Sequence, residues 1–365
     1  MMKLRVLGNL VVIAGFVVAC KPDEPKPPFN AAYPPPTAYN ITSLPSFPGA
    51  IIKADNPLTV EGIELGRALF YDPVLSGDNT QSCASCHNPQ FAFTDNGKVF
   101  STGITGAIGT RNSMPLFNLM WNTRYFWDGR AATLREQVLM PIEDPTEMHE
   151  NLPNAIQKLV AIPAYKTRFG KAFGTEAVTP DRMAKALEQF IFAMVSGQSK
   201  FDLAMIGTSS LSPAEQRGLD IFRGEFSPPG SGRPAGGDCF HCHGTVFFTN
   251  NQFINNGLDS VFSDIGFEAV TNNVLDKGKF KVPSLRNVAL SPPFMHDGRF
   301  ATLEEVVEHY NSGIKSSLTL DNNMKSQGGG LGLTLQQKAD LVAFLKTLSD
   351  TSYINNPLFQ NPFTP

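Results

Sequence analysis

After Thr179-Pro180 the apolar residues Met183, Leu187, Phe190, Ile191 and Met194 recur at steps of three and four. That spacing predicts an amphipathic helix, and the stripe reads as core packing rather than a cofactor surface. Other helix starts are written in polar residues. Thr133-Leu134-Arg135-Glu136, Thr302-Leu303-Glu304-Glu305 and Thr334-Leu335-Gln336-Gln337 each fit a capping box. Ser212-Pro213-Ala214-Glu215 does too, with Pro213 at the first helical position. Short helices with related spacing are predicted at Gly66–Phe70 and Gly218–Phe222. Segments 225–238 and 311–333, rich in Gly, Ser, Pro and Asn, read as surface loops.

The N-terminus follows a different pattern. Lys3 and Arg5 precede an apolar run from Val6 to Ala19, too short to span a bilayer and placed as an export signal. Val17-Val18-Ala19-Cys20 resembles a lipoprotein signal, with Val17 where Leu is usual, so Cys20 is the expected lipid-anchor site. Ordinary signal cleavage with Cys20 incidental is the alternative. Prolines between residues 21 and 38 keep the next segment extended, as a spacer from membrane to folded body. The expected location is periplasmic.

The remaining four cysteines fall in Cys83-Ala84-Ser85-Cys86-His87 and Cys239-Phe240-His241-Cys242-His243. Two thiols three positions apart on one helical turn can form thioethers to the two vinyl groups of a haem, and the adjacent His can reach the iron. A zinc site has no use for a His directly after each pair. A thioredoxin-like motif would not normally occur twice with that His. Disulfides within CxxC are strained. Two covalently bound haem c groups are expected. The net charge of −3, without a like-charge block, leaves no basic surface for a nucleic acid.

The chain also repeats itself. Asp128-Gly129-Arg130 through Val138 recurs as Asp297-Gly298-Arg299 through Val307, and each copy is preceded by an Arg-Asn pair, Arg111-Asn112 or Arg286-Asn287. The expected fold is mainly α, with two tandem cytochrome c-like helical domains each carrying one covalent haem. The expected division is a signal at 1–20, a tether at 21–44, domains at 45–205 and 206–350, and a tail at 351–365.

These elements resemble the bacterial di-haem cytochrome c peroxidases and their MauG-type relatives. The resemblance is carried by Leu65 to Pro73, both CxxCH motifs, Arg111 to Pro115, Phe126 to Arg130, Asp144 to Met148, Val282 to Asn287 and His296 to Gly298. It covers nearly everything from residue 45 to 348. It implies a peroxide-reacting haem on His87 and an electron-transferring haem on His243. Trp127 falls at the position between the haems, and Gln137 and Glu147 at the distal polar positions. Read without the resemblance, Trp127 could be plain core, Gln137 the end of a repeat and Glu147 a solvated carboxylate. The resemblance also implies a calcium ion at Asn112, Ser291 and Pro293, the last two through backbone carbonyls; such residues are equally ordinary in turns.

Tyr310 lies eleven residues after Arg299, and the same step after Arg130 reaches Pro141. In the family the Tyr310 position supplies the sixth ligand of the second haem, Met in typical peroxidases and Tyr in the MauG type. Proline has no donor atom, so the first iron stays open. Met295, His309 and Met324 are competing ligands. Typical peroxidases also close the first iron with a His about sixteen residues after the haem His; 100–106 contains none. The resting enzyme should therefore need no reductive activation.

The expected activity is reduction of hydrogen peroxide. Glu147, aided by Gln137, carries a proton between the peroxide oxygens, Trp127 links the two haems, and an external donor such as a small cytochrome c or cupredoxin supplies electrons. The rivals are MauG-like oxidation of a partner protein and a non-enzymatic electron carrier or redox sensor.

Overall fold

A computed structural model describes residues 33–41, 46–95 and 97–363. The leader, Cys20 and the tether up to residue 32 lie outside the described residues. Among the described residues no helix is long and apolar enough to cross a membrane.

The chain is mainly helical, and its two halves share one packing unit. Helix Val60–Tyr71 crosses helix Pro180–Ala193 in the first half, and helix Pro213–Arg223 crosses helix Leu335–Lys346 in the second. The predicted stripe is core: Met183, Leu187, Phe190, Ile191 and Met194 are all buried. All four predicted capping boxes form, at Thr133, Ser212, Thr302 and Thr334.

Each crossing is built on a glycine. A Cβ on Gly66 would lie 2.0 Å from the carbonyl oxygen of Ala186, and one on Gly218 would lie 2.0 Å from that of Asp340. Only a residue without a side chain allows backbones so close. One turn further, the closeness packs a trio of phenylalanines edge-on or tilted in each half. Phe70 meets Phe190 at 5.3 Å and Phe93 at 6.1 Å between ring centroids. Phe222 meets Phe344 at 5.1 Å and Phe248 at 5.8 Å.

The halves share polar and aromatic contacts. Arg111 of the first half binds Asp264 through two hydrogen bonds of 2.7 and 2.8 Å, and Asp128 through a third of 2.5 Å. Trp121 stacks on Phe247 with centroids 4.6 Å apart. The strands Phe253–Ile254 and Phe280–Lys281 pair antiparallel, with Phe253 opposite Lys281.

Two segments pack more closely than their composition suggests. The 311–333 stretch is not simply a surface loop: it forms helix Asn322–Ser326 and buries Leu320, Leu331 and Leu333. Gly330 there serves close approach, since a Cβ would sit 2.0 Å from the Asn311 carbonyl oxygen. In the segment set apart as a tail, Tyr353 and Phe359 join the core of the first half. Burial of those rings outweighs the polar residues around them.

Candidate haem sites and the peroxide cavity

Both CxxCH motifs form one short helical turn, Cys83–Cys86 and Cys239–His243. The imidazole after each is held the same way. Nδ1 of His87 donates to the Phe93 carbonyl oxygen at 2.7 Å, and Nδ1 of His243 donates to that of Phe248 at 2.7 Å. A carbonyl only accepts, so each Nδ1 carries the proton and each Nε2 keeps a lone pair for a metal. Burial lowers both imidazoles, His243 to about 4, which keeps the neutral, ligating form.

Phe93 and Phe248 have φ of 62° and 52°. This left-handed backbone is costly for an aromatic residue and persists where packing over-determines it. Here the phenylalanine trios hold the two rings, and the strained carbonyls turn toward the histidines. Sequence reasoning missed this pair. It aligns poorly, because the carbonyl lies six residues after His87 but five after His243.

Burial pushes the Cys83 and Cys239 thiols up to about 12, and Cys86 and Cys242 to about 11. Two thiols on one turn beside each imidazole suit thioether attachment to a haem. A cavity of about 510 Å³ opens beside Cys83, Cys86 and His87. With an imidazole nitrogen aimed from an anchored ring and paired thiols beside it, the donor set fits a covalently held haem.

The same cavity is lined by Trp127, Gln137, Pro141 and Glu147, so the structure brings the predicted first-site residues together. The repeat predicts one continuous helix after each capping box. In the second half it runs from Leu303 to Ser312, past Tyr310. In the first half it stops at Gln137 and resumes as Met140–Glu143. Proline has no N–H, and its ring clashes with the carbonyl four residues back, so the ladder breaks. Both copies nonetheless end at matching positions, Glu143 and Ser312, and beyond Glu143 the chain turns so that Asp144, Thr146, Glu147 and Met148 border the cavity. That loop is clamped: Ile104 N–H donates to the Glu147 carbonyl at 3.0 Å and Gly77 N–H to that of Met148 at 2.8 Å. Gly103 packs where a Cβ would meet the Thr146 carbonyl oxygen at 2.2 Å. Burial, with Asp144 nearby, raises the Glu147 carboxyl above the ordinary range, against the pull of Arg130.

Trp127 is buried between the halves. Its indole N–H donates to the Asn112 carbonyl at 2.9 Å, and its own carbonyl accepts from Lys281 N–H at 2.8 Å. Lys281, which sequence reasoning passed over, also lines the cavity.

At the second site Tyr310 lies against Asn256, whose amide donates to the phenol oxygen at 3.2 Å and lies 3.5 Å from Met295 Sδ. Burial pushes the phenol up to about 12, and Cys242 and Cys239 are close enough to add to the rise. His309 is engaged elsewhere, with Nε2 3.0 Å from the Asn256 carbonyl oxygen. Met295 thus stays beside Tyr310. Met324 sits in helix Asn322–Ser326.

The proposed calcium residues are separately anchored. Asn112 Nδ2 donates to the carbonyls of Lys98 and Val99, each at 3.1 Å, and its backbone N–H donates to His296 at 2.7 Å. Ser291 Oγ donates to the Val288 carbonyl at 3.4 Å. Pro293 is buried.

Residues 60–210 match the sequence family described as di-haem cytochrome c peroxidase. The methylamine utilization protein MauG of Methylorubrum extorquens is 37% identical over 313 residues, covering 80% of this chain and 79% of that protein. The cytochrome c551 peroxidase of Nitrosomonas europaea is 34% identical over 319 residues, covering 86% of each. A crystal structure of a MauG-like protein associated with microbial copper homeostasis superposes with a TM-score of 0.81 at 34% identity, over 90% of this chain and 100% of that one. With anchored histidines behind both CxxCH turns and relatives matched along most of its length, the chain belongs to the di-haem cytochrome c peroxidase and MauG family.

Proposed function

We propose that the protein reduces hydrogen peroxide at the Cys83–Cys86–His87 haem, using electrons that arrive through the Cys239–Cys242–His243 haem. One observation carries the reading: Glu147, its carboxyl raised by burial, shares a single cavity with His87, Gln137 and the donorless Pro141. When bound, the haems supply an iron that takes peroxide and a second iron that exchanges electrons with it. The chain's residues do the rest. Nε2 of His87 would hold one iron and Nε2 of His243 the other, and Tyr310 would be a further ligand of the second. Ionised Glu147 takes the proton from the near peroxide oxygen and returns it to the far one, so that water can leave; Gln137 orients the peroxide by hydrogen bonding. Trp127, hydrogen-bonded to both halves, bridges the two sites.

The donor is a small cytochrome c or cupredoxin. A second reading, MauG-like oxidation of a partner protein, is favoured by Tyr310. A phenolate oxygen stabilises oxidised iron, whereas a thioether raises the potential. Export by the leader, periplasmic location and anchoring through Cys20 complete the proposal, with domains at 45–205 and 206–350. A calcium ion near Asn112 would have a counter-charge at hand. Asp95 is buried with neither carboxylate oxygen hydrogen-bonded, its charged neighbour is the half-exposed Lys98 ammonium at 3.3 Å, and Asn112 binds the carbonyl of that same Lys98.

Glu147→Gln tests the chemistry. The variant should load both haems and react with peroxide in stopped flow slower by a factor on the order of 10² or more. A wild-type rate removes Glu147 from the mechanism. Turnover with reduced cytochrome c against candidate protein substrates separates the two readings.

A further inference from the structure

Lys281 belongs to the second half by chain and to the first half's cavity by position. It ends the strand Phe280–Lys281, and its backbone N–H holds the Trp127 carbonyl at 2.8 Å. The residue is only 5% exposed, and it lines the cavity beside His87. Its ammonium donates to one neutral group, the Arg124 carbonyl, at 3.2 Å, and lies 6.0 Å from the centre of the Tyr125 ring. Burial lowers the ammonium to about 8, and no carboxylate among the described residues opposes that shift. At neutral pH the group is still mostly charged.

A buried ammonium with one carbonyl and a distant ring is under-compensated, because buried charges are ordinarily paired. Glu147 borders the same cavity, but the influences on its carboxyl come from burial, Asp144 and Arg130 and not from Lys281. The missing anion must therefore come with whatever fills the cavity. A haem carries two propionate carboxylates.

We propose that Lys281 is a positioning residue whose ammonium pairs with a propionate of the haem attached at Cys83 and Cys86. The inference rests on the haem reading of that cavity. It gives the second half a direct grip on the first half's cofactor, on the same residue that fixes Trp127. A cation beside the propionate favours the reduced iron, so it raises the potential of that haem and of no other.

The test is a spectroelectrochemical titration of the full-length holoprotein, with Lys281→Met and Lys281→Arg, after a pyridine haemochrome count. Lys281→Met should lower the potential of the Cys83–Cys86 haem and leave the other unmoved, while Lys281→Arg stays near wild type. An unchanged potential in Lys281→Met, an equal fall in both variants, or a shift confined to the other haem overturns the assignment. Should Lys281→Met fail to mature, the unaltered holoprotein decides. A propionate bending band of the Cys83–Cys86 haem should move in resonance Raman on exchange into D2O, and a band that ignores D2O overturns the pairing. Fewer than two haems in the wild type would sink the haem reading itself, a separate failure.

Discussion

Gly66→Ala and Gly218→Ala should each destabilise the protein, against the sign that helix propensity sets. Both glycines sit inside helices, where alanine is ordinarily better by about 1 kcal/mol. The added methyl has nowhere to go. At Gly66 it would lie 2.0 Å from the Ala186 oxygen and 2.7 Å from Phe190 Cβ; at Gly218, 2.0 Å from the Asp340 oxygen and 2.8 Å from Phe344 Cβ. The nearest atoms are backbone, so no side chain can rotate away and the helices must part by an ångström or more. Overpacking of a tight core costs roughly 1–3 kcal/mol. A facing carbonyl puts these sites at the upper end, leaving a net loss of about 1–2 kcal/mol after the propensity gain. Urea unfolding of the holoprotein, followed by far-ultraviolet circular dichroism, reads this as a lower midpoint at an unchanged slope. Gly49→Ala, with nothing within 4 Å of its added Cβ, is the control and should hold its midpoint. A midpoint at or above wild type for either helical variant refutes the steric argument. Since Phe70 and Phe222 lie one turn beyond these glycines, parting the helices should also loosen the carbonyls that hold His87 and His243.

Other expectations concern the sites. The pyridine haemochrome assay should return two haems per chain. Tyr310→Phe should remove the second haem's low-spin signature in electron paramagnetic resonance, or replace it with that of Met295; an unchanged signature excludes Tyr310 as ligand. Tyr310→Met should raise that haem's potential and speed electron uptake from reduced cytochrome c. The wild-type peroxide rate should fall as pH drops through the Glu147 pKa, because the ionised form is the base. Burial raises that pKa, so the fall comes at higher pH than for an ordinary glutamate, and Glu147→Gln should abolish it.

What the sequence made legible was local. A capping box is satisfied within four residues, and a CxxCH turn within five, so each could be read without its surroundings. The long-range pairings were not legible in the same way. Asn256, which touches both Tyr310 and Met295, has no motif around it. Lys281 follows Phe280 in a two-residue strand, with nothing in its neighbours to say that its side chain enters the other half's cavity. The loop at 311–333 misled because glycine marks both freedom and close approach; the leucines at 320, 331 and 333 were the signal that it packs.

The duplication lies between these extremes, because comparing its copies turns local rules into long-range ones. Both copies open with the same capping box, so the same helix should follow. One proline makes the difference. With Tyr310 the helix continues, and a phenol reaches the neighbourhood of Cys239 and Cys242. With Pro141 the ladder is interrupted and a donor atom is lost, yet both helices end at matching positions, Glu143 and Ser312. What sets Glu147 at the cavity of His87 is the loop that follows, clamped at Gly77, Gly103 and Ile104. Pro141→Ala should therefore restore an N–H and leave that loop in place. The expected result is a peroxide rate near wild type, whereas Gly103→Ala, whose Cβ would meet the Thr146 carbonyl oxygen at 2.2 Å, should displace the loop and slow the reaction. A rate in Pro141→Ala as low as that of Glu147→Gln would show that the interruption, not the clamps, positions Glu147.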